Sequence, residues 1–338
     1  MNDDYYFLDE EVKDWLLKGD PSIVFLTNKY LLNSPDVKLL FLQKKAESCG
    51  WIKKLLDLQE KNFTWSNRLY SPKWTSTHYT LLLLTRLEVN PNNIKCIGAA
   101  RLLLNEGFYE KANCISYGKT EKGCDVCVTA MLLVMLSYFK IVDKRMEKIV
   151  DFLIKTQFKD GGWNCRLMDI HSSVHTTLSV LESFHEFRKI SDYKKEKIER
   201  MEKDGQEFLL SHRLFKSSRT GKVMNEKFKL LSFPPRWKYD ILKAMEYFSN
   251  ADVNYDERMD DAVKIIMKKK RKDNTWPMQN RHPGLVFFDL EKTSESSRIN
   301  TFRVNRVLKK YFSEIKGLFL IKHPLLFSTI KYNKSIIT

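Results

Sequence analysis

The feature that most limits the fold is a helical hairpin that recurs about every fifty residues. Five segments share one plan: an apolar-periodic helix, a polar turn, and a second helix ending in aromatic or leucine residues. The first runs from Trp51–Leu56 through Gln59 and Trp65 to Thr77–Leu84, and the second pairs Ala99–Leu104 with Cys127–Leu133. In the third, Phe152–Gln157 leads through Asp160-Gly161-Gly162-Trp163 to His175–Leu181. The fourth pairs Phe208–Leu210 with Arg236–Leu242, and the fifth joins Ile265–Met267 through Asp273-Asn274-Thr275-Trp276 to Asn300–Val304. A lone hairpin leaves an apolar face that only a neighbour can cover, so the units must stack. Glu10–Leu17, followed by the cap Asp20 and by Pro21 at a first helical position, supplies a sixth pair. The expected fold is therefore all-α, an α/α toroid in which about six hairpins close into a double ring. Its inner helices are expected to begin near Ser76, Cys124, Ser172, Arg236 and Ser297, and strand signals are nearly absent. Residues 1–312, with the N-terminal hairpin over 9–33, are expected to form one domain, and 313–338 a C-terminal extension.

The phrase Phe152-Leu153, Gln157, Asp160-Gly161-Gly162-Trp163 resembles the Gln-Trp repeat of squalene and oxidosqualene cyclases and of protein prenyltransferases. The first and fifth units carry it in part; the second and fourth keep only the helices. The resemblance implies that the Gln and Trp tie helix ends together at an outer rim and take no part in catalysis. Leu69–Thr77, Gly161–Cys165 and His282-Pro283-Gly284 also resemble bacterial prenyltransferase-like proteins over almost the whole chain.

A formal charge of +16 first suggests an anionic partner. Lysine is spread along the chain, however, and the one dense run, Lys268–Lys272, ends an expected helix, where cations oppose the dipole. Nucleic acid is not the expected partner. The acidic start Met1-Asn2-Asp3-Asp4 is no secretory signal, so a reducing cytoplasm is expected, with the six cysteines as core, metal or catalytic residues and not disulfides. No apolar stretch is long enough to span a bilayer, although Gly317–Ile321 could rest on a membrane surface.

In a toroid the starts of the inner helices converge on a central cavity. Here they supply Lys73, Trp74, His78, Arg236, Trp237, Lys238, Tyr239, Arg298 and Asn300, too cationic for a plain core. Aromatic rings with Arg and Lys suit a ligand with an apolar body and an anionic head. The aspartate-rich Asp-x-Asp-Asp sequence of class II terpene cyclases is missing, as is an Asp-Asp-x-x-Asp magnesium motif. Asp260-Asp261 opens an outer helix, where carboxylates favour the dipole.

Gly118-Lys119-Thr120-Glu121-Lys122-Gly123-Cys124-Asp125-Val126-Cys127 resembles the protein prenyltransferase β-subunit pattern Gly-Arg-x-x-Lys-x-x-Asp-x-Cys. That resemblance implies that Lys119 and Lys122 hold a prenyl diphosphate, and that Asp125, Cys127 and a later histidine, His175, bind a catalytic zinc ion. Thiolate, carboxylate and imidazole would form an open site able to lower the pKa of an incoming thiol. Val128 and Lys119 depart from the aromatic and the Arg usual in that family. A structural Cys₂His₂ set of Cys124, Cys127, His171 and His175 competes, and Cys165 is a further substitute ligand. A plainer reading makes Asp125 a cap and the cysteines and His175 ordinary core residues. On the prenyltransferase reading Arg236 or Arg298 would assist the diphosphate, while Trp74, His78, Trp237 and Tyr239 line the apolar part. Transfer to a thiol or another nucleophile is the implied reaction. The competing functions are a non-catalytic binding or scaffold toroid and a cyclase-like enzyme without the usual aspartates.

Overall fold

The computed structural model describes residues 8–120, 123–311 and 315. Helices account for nearly all the regular structure of the described chain, and they pair in sequence order. They are α1 (Glu10–Leu17) with α2 (Pro21–Tyr30), the linking α3 (Asp36–Ser48), α4 (Gly50–Asp57) with α5 (Thr77–Arg86), and α6 (Ile94–Gly107) with α7 (Val126–Tyr138). The remaining pairs are α8 (Arg145–Lys155) with α9 (Val174–Phe187), α10 (Lys195–Ser211) with α11 (Ile241–Asn250), and α12 (Asp260–Lys268) with α13 (Arg298–Lys310).

The second helix of each pair forms an inner ring. Helix α7 packs on α5 and α9, α11 on α9 and α13, and α13 on α2. Lys29 and Tyr30 of α2 close the circle on Glu88, just beyond α5. The all-α toroid is thus the observed architecture. Its composition follows from position: α7, walled on both sides and behind by α6 and α8, is buried along almost every face from Val126 to Ser137. Outer α8 instead buries one stripe, Met146, Ile149, Val150, Phe152 and Leu153, as a helix with one wet face must.

The rim is tied in one way at three hairpins. Trp65, Trp163 and Trp276 each donate Nε1–H to the carbonyl ten residues earlier, at Leu55, Leu153 and Ile266 (2.7, 2.7 and 2.8 Å). The amide of each tryptophan donates to a threonine hydroxyl on the inner helix: Thr77, Thr177 or Thr301. Gln59 and Gln157 bridge to the next outer helix through the carbonyls of Lys95 and Met201. The indole bonds satisfy carbonyls in the last turns of α4, α8 and α12, where the intrahelical ladder runs out.

Two expectations shift. Helix α11 begins at Ile241, five residues after Arg236, because Pro234, Pro235 and a left-handed Arg236 (φ 57°) divert the chain until the Asp240 carboxylate caps Lys243 N. Among the described residues sheet is present only as two short antiparallel ladders, Phe108–Tyr109 with Cys114–Ile115 and Trp276–Pro277 with Ser296–Ser297.

Ion pairs cross the bore. Arg86 of α5 reaches Glu182 of α9 at 3.0 Å, and Lys243 of α11 meets the same carboxylate at 3.2 Å. Arg303 of α13 pairs with Glu246 of α11 at 2.6 Å. Burial pushes the Glu182 carboxyl up, but Arg86 and Lys243 outweigh it and hold the pKa below its ordinary value. No helix among the described residues is long and apolar enough to cross a membrane.

Candidate functional site

The five loops that lead into α5, α7, α9, α11 and α13 interlock as a roof over one end of the ring. Val126 N donates to Cys165 O at 3.0 Å, Gln279 N to Leu231 O at 3.0 Å, and Trp74 N to Leu285 O at 2.8 Å. Trp74 is buried, and its indole N–H is shared by the carbonyls of His282 (3.2 Å) and Pro283 (2.9 Å). Gly284 permits this approach: a Cβ there would lie 2.6 Å from the Trp74 Nε1.

Beneath this seam is a small, partly open cavity of about 40 Å³, lined by Trp74, Thr80, Leu83, Phe233, Arg236 and Phe287 and also by Arg281, Asp289 and Glu291. The Arg236 guanidinium lies 5.3 Å from the centre of the Trp74 ring, within cation–π range. It is 7% exposed, and its Nη1 has no hydrogen-bond partner among the described residues. Burial lowers its pKa to about 10, with the Tyr79 hydroxyl opposing, so the charge persists at neutral pH. Thr80 Oγ1, on the same wall, is likewise buried and unpaired. Nearby, Lys73 Nζ stands 5.3 Å from the Tyr70 ring and 5.8 Å from that of Trp237, and Lys238 Nζ lies 4.0 Å from Trp237. Among the described residues none of these three cations is in an ion pair.

The remaining candidate residues separate. Asp125 occupies the N-cap position of α7 without a side-chain capping bond. Its carboxylate takes a hydrogen bond from the Cys165 thiol, and its pKa is raised by burial against the pull of that bond and of Lys73. Cys127 also hydrogen-bonds Cys165, which with burial raises its thiol well above the ordinary value. His175 faces elsewhere: its Nδ1 accepts the amide of Tyr239, and its ring packs edge-on to Phe228 and Trp237. The structure therefore brings Asp125 and Cys127 to Cys165 and turns His175 toward the next hairpin. No group of three His, Cys, Asp or Glu side chains among the described residues is arranged to hold a metal ion. The set Asp125, Cys127 and His175 does not fit a zinc ion.

Cys124 is joined to Cys114 in a disulfide, correcting both its place as a ligand and the expectation that the cysteines stay reduced. The β1–β2 ladder (Phe108–Tyr109 with Cys114–Ile115) and the turn through Gly123 bring two residues ten apart to bonding distance. His171 lies in the exposed loop before α9, so the four-residue spacing to His175 never falls on a helix and the Cys₂His₂ arrangement is not formed. Lys119 turns away from the cavity and donates to the Phe108 carbonyl at 2.9 Å, and Lys122 lies outside the described residues. Arg298 serves closure: its Nε donates to Trp15 O at 2.9 Å, and its guanidinium lies 4.4 Å from the Trp15 ring centre. His78 is wholly buried, with Nδ1 against the Tyr117 hydroxyl (3.0 Å) and Nε2 unpaired. Tyr239 is buried, its hydroxyl donating to Leu214 O.

Sequence reasoning missed Phe233, Met278, Phe287 and Phe288, which supply much of the cavity wall. The available signal was the apolar run Leu285–Phe288 directly after His282-Pro283-Gly284.

No family model and no curated protein matches the sequence. Among solved structures, the chain is similar to a protein from Actinoplanes at 12% identity, with a TM-score of 0.45, covering 87% of this chain and 89% of that one. It is also similar to the type II terpene cyclase MstE from Scytonema at 11% identity, with a TM-score of 0.42 and 89% of each chain covered.

Proposed function

We propose that this toroid binds an amphipathic anion, with the apolar body in the cavity beneath the Trp74 seam and the anionic head against Arg236, Lys73 and Lys238. Arg236 carries the reading. A buried guanidinium in no ion pair among the described residues, with one nitrogen unpaired, is costly unless an anion satisfies it. The two carboxylates on the same wall are engaged elsewhere, Asp289 by Arg281 and Glu291 by Ser297 and the amides of Arg298 and Ile299. Prenyl diphosphates are the first ligands to test, and the reading holds for a binding protein as well as for a transferase. The ion pairs at Arg86, Glu182 and Lys243 limit depth. Thr80, on the cavity wall, and Arg86 are six residues apart on α5, a rise of about 9 Å. Short chains should therefore bind better than long ones.

Calorimetric titration of geranyl, farnesyl and geranylgeranyl diphosphates and of an alkyl carboxylate tests this. Arg236→Gln is expected to weaken binding at least about tenfold, the loss of one charge-assisted contact. Lys119→Ala, distant from the cavity wall, should bind as wild type does. Failure of wild type to bind any of the four, or equal affinity in Arg236→Gln, removes the reading. Release of diphosphate in the presence of a small thiol would distinguish a transferase from a binding protein.

A further inference from the structure

The roof carries apolar side chains that nothing among the described residues covers. Met168 and Ile170, in the loop before α9, are 91% and 92% exposed, and Leu167 beside them is also exposed. Leu285 protrudes from the loop before α13 at 64%, and Met224 is exposed in the loop before α11. The backbone bonds between loops place these tips on one layer, at the end of the ring where the cavity opens.

Basic residues stand at both ends of the ring. In the loops at the opposite end and the helix turns beside them, several basic residues are matched, Arg145 with Asp143, Lys194 with Asp151, Lys195 with Asp192, Arg258 with Asp256, and Lys310 with Asp252, while Lys140 and Lys144 are exposed and in no ion pair among the described residues. Val142 protrudes there, as do Ile94 at the start of α6 and Val37 in the first turn of α3. On the roof Arg68, Arg219, Lys222 and Lys227 are exposed and in no ion pair among the described residues. Roof carboxylates are mostly engaged, Glu226 with Lys229 and Asp289 with Arg281, while Asp169 lies half-buried between Met168 and Ile170.

We infer that the roof is a docking face for an anionic lipid bilayer. Protruding apolar tips enter the boundary between headgroups and acyl chains, and unpaired cations beside them meet lipid phosphates and carboxylates. A protein partner would also cover apolar tips, but the free cations Arg68, Arg219, Lys222 and Lys227 on the same layer match an anionic surface. The face rests on exposure and charge and is independent of what fills the cavity. An amphipathic ligand drawn from the bilayer would meet the mouth directly.

Sedimentation with vesicles tests it, using phosphatidylcholine alone and phosphatidylcholine mixed with phosphatidylserine. The full chain is expected to pellet with the mixed vesicles, to pellet much less with phosphatidylcholine alone, and to be released by salt. Met168→Glu/Ile170→Glu should weaken binding to mixed vesicles by about tenfold or more, as should Lys222→Glu/Lys227→Glu. These positions are exposed, so circular dichroism should match wild type in both variants. Wild type that stays in the supernatant with both vesicle types overturns the inference. So does a variant pair that pellets like wild type, or self-association in solution that Met168→Glu/Ile170→Glu abolishes while vesicle binding persists.

Discussion

The backbone amide of Tyr239 donates to Nδ1 of His175 at 2.9 Å. With Nδ1 accepting, the neutral ring carries its proton on Nε2, and a metal could bind there only if the tautomer changed and this bond broke. Burial, followed by Lys238, Lys243 and His282, lowers the pKa of His175 to about 4, so it is a neutral packing residue at physiological pH. Protein purified without chelator should therefore hold less than about a tenth of an equivalent of zinc and take up none on titration. Stoichiometric zinc that His175→Ala removes would contradict this and restore the transferase chemistry that the sequence pattern implies.

The rim was legible because it is local. Trp163 and Leu153 are ten residues apart, and their bond recurs at Trp65 and Trp276, so a phrase in the sequence maps onto one turn of structure. The site was not legible in the same way. Lys119 and Asp125 lie six apart, as a diphosphate and metal motif would have them, yet Lys119 is captured by the carbonyls ending α6, while Asp125 meets Cys165 from the next hairpin. Which neighbour takes a side chain depends on how loops cross the roof, and Phe287 and Phe288 reach the cavity through a loop whose course no periodicity encodes. Arg298 fits a cavity list by position but is claimed by Trp15, from the other end of the chain.

Stability should fall on mild acidification. Burial holds His78 at about 3 and His175, His185 and His282 at about 4, all below their ordinary 6.5. Each contributes stability that is fully present above pH 6.5 and is lost as pH falls toward the folded value, since the unfolded chain binds the extra proton. Asp240 and Glu202 act in the opposite sense. Burial raises them to about 6 and about 7, so their share is present below their ordinary range and lost as pH rises through those values. Burial raises Asp125 and Glu291 in the same sense without a large shift, so four large histidine shifts against two large carboxylate shifts leave a net loss between pH 6.5 and 4. Urea unfolding at several pH values should show it, and His78→Gln should flatten the slope by up to about 1.4 kcal/mol per pH unit. An unchanged slope in His78→Gln would mean that the ring is not held neutral in the fold.

Glu182 joins three inner helices, receiving Arg86 from α5 and Lys243 from α11 onto one carboxylate. Lys243 is 1% exposed at its side chain and Glu182 17%, so solvent screens the pair little. Glu182→Leu strands two cations in the bore, and breaking a buried pair from one side costs about 3–5 kcal/mol. Arg86 is 21% exposed and recovers part of its hydration, which places the expected loss near the lower figure, about 3 kcal/mol. The double variant Glu182→Leu/Lys243→Met removes the more buried cation with its partner and should regain part of that loss, because only the part-exposed Arg86 is then left without its carboxylate. The urea midpoint and slope of wild type, single and double variants measure both effects. A loss below about 1 kcal/mol in the single variant, or a double variant no more stable than the single, would show that the bore is hydrated and that its ion pairs do not hold the ring together.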